Sequence, residues 1–440
     1  MLRPWLLAPA AGAILLITAA CNGGGNDNPG NVGGPSPTVA ATAGPGVTNE
    51  VIRVGMTNDM AGSGLTPYGA VTRAMQAYLT WFNEQGEVCE RDLELLVEDD
   101  EYSADKALAG TKKLVEQDGV LAMVGGIGTE VHRPAGEYLN DPNADGDKSD
   151  GVPDLFVSTG WSGWHDTTRF PWTVGFIPGF TQDGAALGLY AEQNFPGKKV
   201  GVLFRDDDFG REYVTGVAGA LGGTDKIVSQ PYTSDEIDVA VQVGQLKDAG
   251  VEVLVLATTP EVVATAVRAS AALGWAPHLF VGYTTPPSTM AARLGGGISA
   301  TELEAGFQAL DGTISTEYLL SPIEDESEDV MQEHRMRMQS YRGPQVSTLS
   351  VYGQALAETL IEALSRTCGN LNRGGLMAAV ESMSSFTPTV VLPGVRVSLS
   401  DADHRAIESF QPVEIKGTGE VLRVGDLISL ESTSAAPEED

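Results

Sequence analysis

Strand-like and helix-like segments alternate along this chain, which predicts an α/β protein built as two doubly wound, parallel-sheet lobes. Apolar runs of strand length recur at residues 51–56, 93–99, 120–126, 154–159, 199–204, 251–257 and 278–282, with helical patterns between them at 68–86, 103–117, 183–195, 261–275 and 347–367. Size is the second observation. Of 440 residues, most lie in this alternating body, and a single core stops growing at roughly 250–300 residues. Composition is the third: 42% hydrophobic and 7% aromatic residues describe an ordinary globular chain. No period of about 20–50 residues recurs, so a solenoid is not expected.

The elements follow in order. Residues 1–21, MLRPWLLAPAAGAILLITAAC, carry one early basic residue, Arg3, then an apolar run, then Thr18, Ala19 and Ala20 before Cys21. This is a secretory signal, too short for a membrane span. Small residues followed by Cys resemble a bacterial lipobox, in which Cys21 is lipidated and becomes the first mature residue; Thr18 stands where Leu is usual, and plain signal cleavage is the alternative. Residues 22–48 are rich in Gly, Asn, Pro and Ser and read as a disordered tether, with a root-mean-square span of about 29 Å. The expected location is therefore outside the cytoplasm, held to a membrane by the anchor alone. Residues 434–440 form an acidic tail.

Charge excludes one class of partner. Acidic side chains number 59 and basic ones 27, a net charge of −32, and nucleic acid is gripped by basic clusters this chain lacks. Catalytic motifs are also missing. The five histidines are scattered without HExxH spacing. The nearest approach to GxSxG is Gly160-Trp161-Ser162-Gly163-Trp164, with Trp in place of the last Gly. Gly125-Gly126-Ile127-Gly128 follows a strand and opens a helix, but Val131 replaces the third Gly of a dinucleotide fingerprint. That cluster suits an anion instead, with free N–H groups at the helix start and a hydroxyl donor in Thr129; a tight turn capped by Thr129 is the alternative.

The segments IRVGMTNDMAGSGLTPYGAVTRAMQAYLTWFNEQG, LELLVEDDEYSADKALAGTKKLVEQDGVLAMVGGIGT, LFVSTGWSGWHDTTRFPWTVGF, VGVLFRDDDFGREY and VLPGVRVSL together resemble the solute-binding proteins of ABC transporters. The resemblance is to the branched-chain amino acid (leucine/isoleucine/valine-binding) type with the type I periplasmic binding fold, and runs from about Val51 to about Leu427. It implies two lobes joined by three hinge crossovers, near 176–180, 314–318 and 398–404, with residues 49–177 plus 316–400 in lobe 1 and 178–315 plus 401–433 in lobe 2. It also implies a ligand enclosed by hinge closure. Matched by position, Tyr68 is an aromatic lip, Gly128 and Thr129 hold the ligand carboxylate, Gly160 and Ser162 offer a carbonyl and a hydroxyl, and Phe209 is an aromatic position on the second lobe. Trp161, Thr258 and Thr284 complete the expected ligand-binding set. An acidic partner for a ligand ammonium is common after the strand corresponding to HLFVG, but Gly282-Tyr283-Thr284 stands there. A hydrophobic amino acid and an aromatic or aliphatic acid therefore both remain open, with Asp183 a substitute acid and Trp161 and Trp164 either an apolar wall or packing under the loop.

The implied activity is non-enzymatic: capture of a small carboxylate-bearing solute and delivery to an ABC permease and ATPase complex, by a protein expected to be a monomer and to require no cofactor. A sensory module of the same fold, read by a signalling partner, is the alternative. Asp141, Asn143, Asp145, Asp147 and Asp150 alternate around Gly146 as oxygen ligands do in calcium loops, although Val152 stands where an EF-hand has its acidic twelfth ligand. A weak structural calcium site is the expectation here and a solvated acidic insertion the alternative. Cys89 and Cys368, which the resemblance places in one lobe, are a candidate disulfide, with free thiols the alternative.

Overall fold

The computed structural model describes residues 43–61, 68–233, 236–323 and 325–430. The signal, Cys21, most of the tether and the acidic tail lie outside the described residues.

Among the described residues thirteen strands form two sheets: β1 (Val51–Asn58), β2 (Asp92–Asp99), β3 (Ala122–Val124), β4 (Asp154–Val157) and β5 (Thr173–Gly175) in the first, and β6 (Val200–Arg205), β7 (Ile227–Tyr232), β8 (Val253–Ala257), β9 (His278–Val281), β10 (Thr313–Glu317), β11 (Ser409–Ile415), β12 (Val421–Arg423) and β13 (Ile428–Ser429) in the second. The helices are α1 (Gly69–Gln85), α2 (Ala104–Glu116), α3 (Thr129–Asn140), α4 (Phe180–Asn194), α5 (Asp208–Ala220), α6 (Ala240–Asp248), α7 (Pro260–Ala272), α8 (Pro287–Gly295), α9 (Ala300–Ala309), α10 (Asp329–Ser340), α11 (Thr348–Arg366) and α12 (Arg373–Glu381).

The first sheet runs β2-β1-β3-β4-β5, all parallel. The second repeats that order as β7-β6-β8-β9-β10 and then adds β11 and β12 antiparallel, with β13 also paired to β11. Both are doubly wound, and strand order reverses between β1 and β3 and between β6 and β8. Ligands of such sheets collect at the carboxyl ends of the strands beside those switch points.

Burial explains the strands. In β8, VLVLA, Val253, Val255 and Ala257 enter one apolar cluster while Leu254 and Leu256 enter another on the opposite face. A parallel strand covered on both faces by helices must be apolar throughout, so its sequence runs without alternation. In the first lobe Ile52, Val54 and Met56 of β1 pack with Val71 and Met75 of α1 and Val351, Leu356 and Leu360 of α11.

The chain passes three times between the lobes. It leaves the first sheet after Gly175 and enters the second-lobe core at Phe180. It returns after Glu317, since Tyr318, Leu319 and Leu320 pack in the first core. The third passage lies between Ile407 and Ser409, later than 398–404, because Leu399, Ala406 and Ile407 still pack in the first core.

Two further differences have local causes. Residues 44–47, within the stretch read as tether, are packed on the first lobe: Gly44 N–H donates to the Leu371 carbonyl at 2.6 Å and Arg53 N–H to the Gly46 carbonyl at 2.9 Å. The candidate calcium loop binds itself. Asp141 accepts from the backbone N–H groups of Asp145 and Gly146, Asn143 from Asp145, Asp145 from Asp147, and Asp147 from Ser149, at 2.8–3.1 Å, while Asn143 Nδ2 donates to Asp150. Alternate oxygens are what successive Asx-type turns require. No group of three or more His, Cys, Asp or Glu side chains among the described residues is arranged to hold a metal ion, and the calcium expectation is corrected accordingly.

Cys89 and Cys368 are joined by a disulfide that links the turn before β2 to the residues after α11, closing 279 residues of sequence. Among the described residues no helix is long and apolar enough to cross a membrane.

Candidate functional site

A cavity of about 590 Å³ lies between the carboxyl-terminal loops of the two sheets. The first lobe contributes Tyr68 after β1, Tyr102 after β2, Gly128 and Thr129 after β3, and Ser158 and Thr159 after β4. The second contributes Arg205 and Tyr232 at the ends of β6 and β7, Phe209 on α5, Thr258 and Thr259 after β8, and Tyr283 and Thr284 after β9. Residues 315–321 of the second passage and Tyr352 of α11 line it as well.

The first-lobe wall is built around an open helix start. Gly128 is the N-cap of α3 and supplies no side chain to satisfy the first-turn N–H groups. Those groups present positive partial charge. Glycine is required at this position: its φ is +89°, and a Cβ would stand 2.8 Å from the Tyr102 hydroxyl. Thr129 Oγ1 lies 2.6 Å from Thr159 Oγ1. Two hydroxyls carry two protons and the bond between them uses one, leaving one to donate elsewhere.

Tyr102 reaches the cavity through a left-handed turn. Glu101 and Tyr102 have φ of +48° and +56°, a region non-glycine residues enter rarely and chiefly at functional sites. The turn is held by Asp100, whose carboxylate accepts the Tyr102 N–H at 2.8 Å. Burial pushes Asp100 up to about 6, against that hydrogen bond. The Tyr68 and Tyr102 rings stack at 5.9 Å.

On the second-lobe wall Arg205 Nε–H donates to Asp207, and the guanidinium sits 5.1 Å from the centre of the Phe209 ring. Phe209 packs edge-on against Phe180 at 4.9 Å. Tyr283 O–H donates to the Pro178 carbonyl at 2.5 Å, tying the loop after β9 to the first passage.

The structure thus brings Tyr68, Gly128, Thr129, Phe209, Thr258 and Thr284 to one cavity. Gly160, Trp161 and Ser162 are not among its lining residues, each for a definable reason. The Gly160 carbonyl accepts the Phe180 N–H at 2.8 Å. Trp161 is buried against Trp164 and Phe170, with centroids at 5.0 and 5.9 Å, and carries the Arg133 guanidinium on its face at 3.9 Å. Ser162 gives its N–H and hydroxyl to Glu212. Asp183, the candidate substitute acid, is buried beneath the site, accepting from Tyr213 O–H at 2.5 Å, Thr316 O–H at 2.5 Å and Tyr283 N–H at 3.2 Å; burial outweighs these bonds and holds it at about 6.

Sequence reasoning missed Arg205, Tyr102 and Tyr232. Each follows or ends a strand at its carboxyl edge, and that position was the available signal.

Comparison with known proteins decides the family. The family model described as periplasmic binding protein matches residues 51–420. The chain belongs to this family. No curated protein sequence matches it. Among solved structures, this periplasmic binding protein is similar to a possible leucine/isoleucine/valine-binding protein from Rhodopirellula baltica (17% identity, TM-score 0.71, covering 89% of this chain and 98% of the other). It is likewise similar to a fatty acid ABC transporter substrate-binding protein from Thermomonospora curvata (18%, 0.71, 89% and 95%) and to a branched-chain amino acid ABC transporter protein from Thermus thermophilus with bound valine (17%, 0.71, 87% and 97%). These likenesses confirm the type I fold with its two α/β lobes. The periplasmic binding protein is a solute-binding protein rather than an enzyme, and membership implies an extracytoplasmic location.

Proposed function

We propose that this chain captures a small solute bearing a carboxylate on an apolar body, by closure of the two lobes, and delivers it to an ABC permease and its ATPase while anchored through a lipid on Cys21. The observation that carries the reading is the cavity itself. Its first-lobe wall combines the uncapped start of α3 with the Thr129–Thr159 hydroxyl pair, and its flanks are aromatic. N–H groups and a free hydroxyl proton at a helix start suit a carboxylate, while Tyr68, Tyr102, Phe209 and Tyr232 suit the rest of an apolar ligand.

The ligands named for two of the structural neighbours, valine and fatty acid, share an apolar body and a carboxylate. Thr284 stands in place of an acid after β9 and Asp183 is committed to three donors, so an amino acid's ammonium would take its counter-charge from Glu130, Glu236, Glu261 or Glu317 of the lining, whereas an aliphatic or aromatic acid needs none. A strain lacking the chain should lose uptake of the acid that raises the purified protein's melting temperature, and regain it on complementation. Unimpaired uptake in the deletion strain would refute delivery.

A further inference from the structure

We infer that Arg205 is the second lobe's counter-charge for the ligand's anionic group, so that the cavity selects an acid over its neutral isostere and uses that charge to draw the lobes together. The inference rests on the reading of this cavity as a ligand site.

Arg205 ends β6 and lines the cavity with its side chain 21% exposed. Its Nε–H is occupied by Asp207, whose other oxygen accepts the Gly210 N–H at 3.1 Å at the start of α5. The guanidinium is therefore fixed along one edge. Its two terminal nitrogens have no acceptor among the described residues, and these are the donors whose planar fork matches a carboxylate. Phe209 shields one side at 5.1 Å. Reduced contact with water strengthens the field such a cation exerts.

The charge is felt across the cleft. Burial raises the Tyr68 and Tyr102 hydroxyls of the first lobe, and in both Arg205 acts in the opposite direction. The Tyr102 hydroxyl in turn is the atom a Cβ at Gly128 would strike. Tyr102 lines the same cavity as the open α3 start of its own lobe and Arg205 of the other, and Asp207, the partner of Arg205, partly offsets the guanidinium there. An anion placed beside it meets positive potential from both lobes, and only with the lobes together. The chain carries a net charge of −32 and the lining itself holds Glu130, Glu236, Glu261 and Glu317, so Arg205, the basic residue among the described lining residues, is the charge that offsets this repulsion for an anionic ligand.

The test is titration calorimetry with matched pairs, hexanoate against hexanamide and phenylacetate against phenylacetamide, on the soluble chain begun after Cys21. Wild type should favour the acid of a pair by about 10- to 100-fold, the scale of a charge-assisted hydrogen bond. Arg205→Met should bring acid and amide within a few-fold of each other by weakening the acid alone, and Arg205→Lys should restore part of the preference. If Arg205→Met does not fold, as judged by its melting curve, the ratio is read in Arg205→Lys, which must fall between wild type and unity. Equal losses for acid and amide in Arg205→Met, or an undiminished acid preference, would overturn the assignment while leaving the cavity a solute site. A wild type that binds amides as well as acids overturns it too; one that binds neither acid removes the carboxylate reading with it.

Discussion

Ser162 of the first lobe donates both its backbone N–H (2.8 Å) and its hydroxyl (2.5 Å) to one carboxylate oxygen of Glu212 in the second. Beside this contact Arg133 of α3 pairs with Asp208 of α5. Together they latch the lobes, and one of the four residues, Ser162, is a residue that the sequence had pointed toward the ligand.

The latch predicts a pH dependence. Burial pushes Glu212 up to about 7 despite the Ser162 bonds, with Asp208 adding repulsion and Arg133 attraction. Once the lobes part, Glu212 faces water and returns toward the ordinary glutamate value of about 4.3. The latched form thus binds a proton more tightly than the open one. Its advantage is full below about 4.3 and is lost as pH rises through about 7. Radii of gyration from X-ray scattering at pH 6 and pH 8 should show more of the compact form at pH 6, and Glu212→Gln should flatten the difference. Asp100 and Asp183 titrate near the same pH, but each lies within one lobe, so a slope unchanged in Glu212→Gln would reject the latch.

Removing the Thr129 hydroxyl leaves Thr159 without its 2.6 Å partner and the α3 start with one donor fewer. Thr129→Ala should weaken binding of the preferred acid by about 1–2 kcal/mol, or roughly 5- to 30-fold, with little change in melting temperature. Unchanged affinity in calorimetry would dismiss Thr129 from the site.

Gly128→Ala must place a Cβ at φ +89° and 2.8 Å from the Tyr102 hydroxyl. The backbone strain alone is on the order of 1–2 kcal/mol, and Tyr102 must shift. Acid affinity should drop at least as far as in Thr129→Ala, and pairing the change with Tyr102→Phe should recover part of it by removing the struck atom. Full affinity in Gly128→Ala would show that neither the turn nor Tyr102 meets ligand.

Cys89 borders the first-lobe core, and the disulfide ties it to Cys368 just after α11. Reduction, or Cys89→Ala with Cys368→Ala, should lower stability by about 2–4 kcal/mol, visible as a lower melting temperature with acid affinity retained. A melting curve unmoved by reductant would contradict a stabilising bridge.

The fold was legible where burial makes strands apolar on both faces. VLVLA and KVGVLF announce themselves because helices cover the sheet on each side. Other strands were not legible: β5 has three residues, β7 is a half-exposed edge, and β10, TISTE, reads as polar although it is almost wholly buried. At the site, residues fixed by backbone position, Gly128 and Thr129, could be read from a strand–glycine–helix pattern. Trp161 packs within its own lobe on Trp164 and Phe170, the alternative the sequence left open, while Gly160 and Ser162 could not be placed because whether a loop residue faces a ligand or an opposing helix depends on the partner lobe. Here the partners are Phe180 and Glu212, 20 and 50 residues away.

The central claim is that the cavity between the lobes holds a small acid. A thermal-shift screen of the chain begun after Cys21, against aliphatic acids, aromatic acids, branched-chain amino acids and the corresponding amides, tests it most directly. At 100 times its dissociation constant a ligand stabilises the folded state by about 2.7 kcal/mol, so aliphatic or aromatic acids should raise the melting temperature and their amides should not. Shifts produced by amides or neutral solutes, with none from any acid, would contradict it.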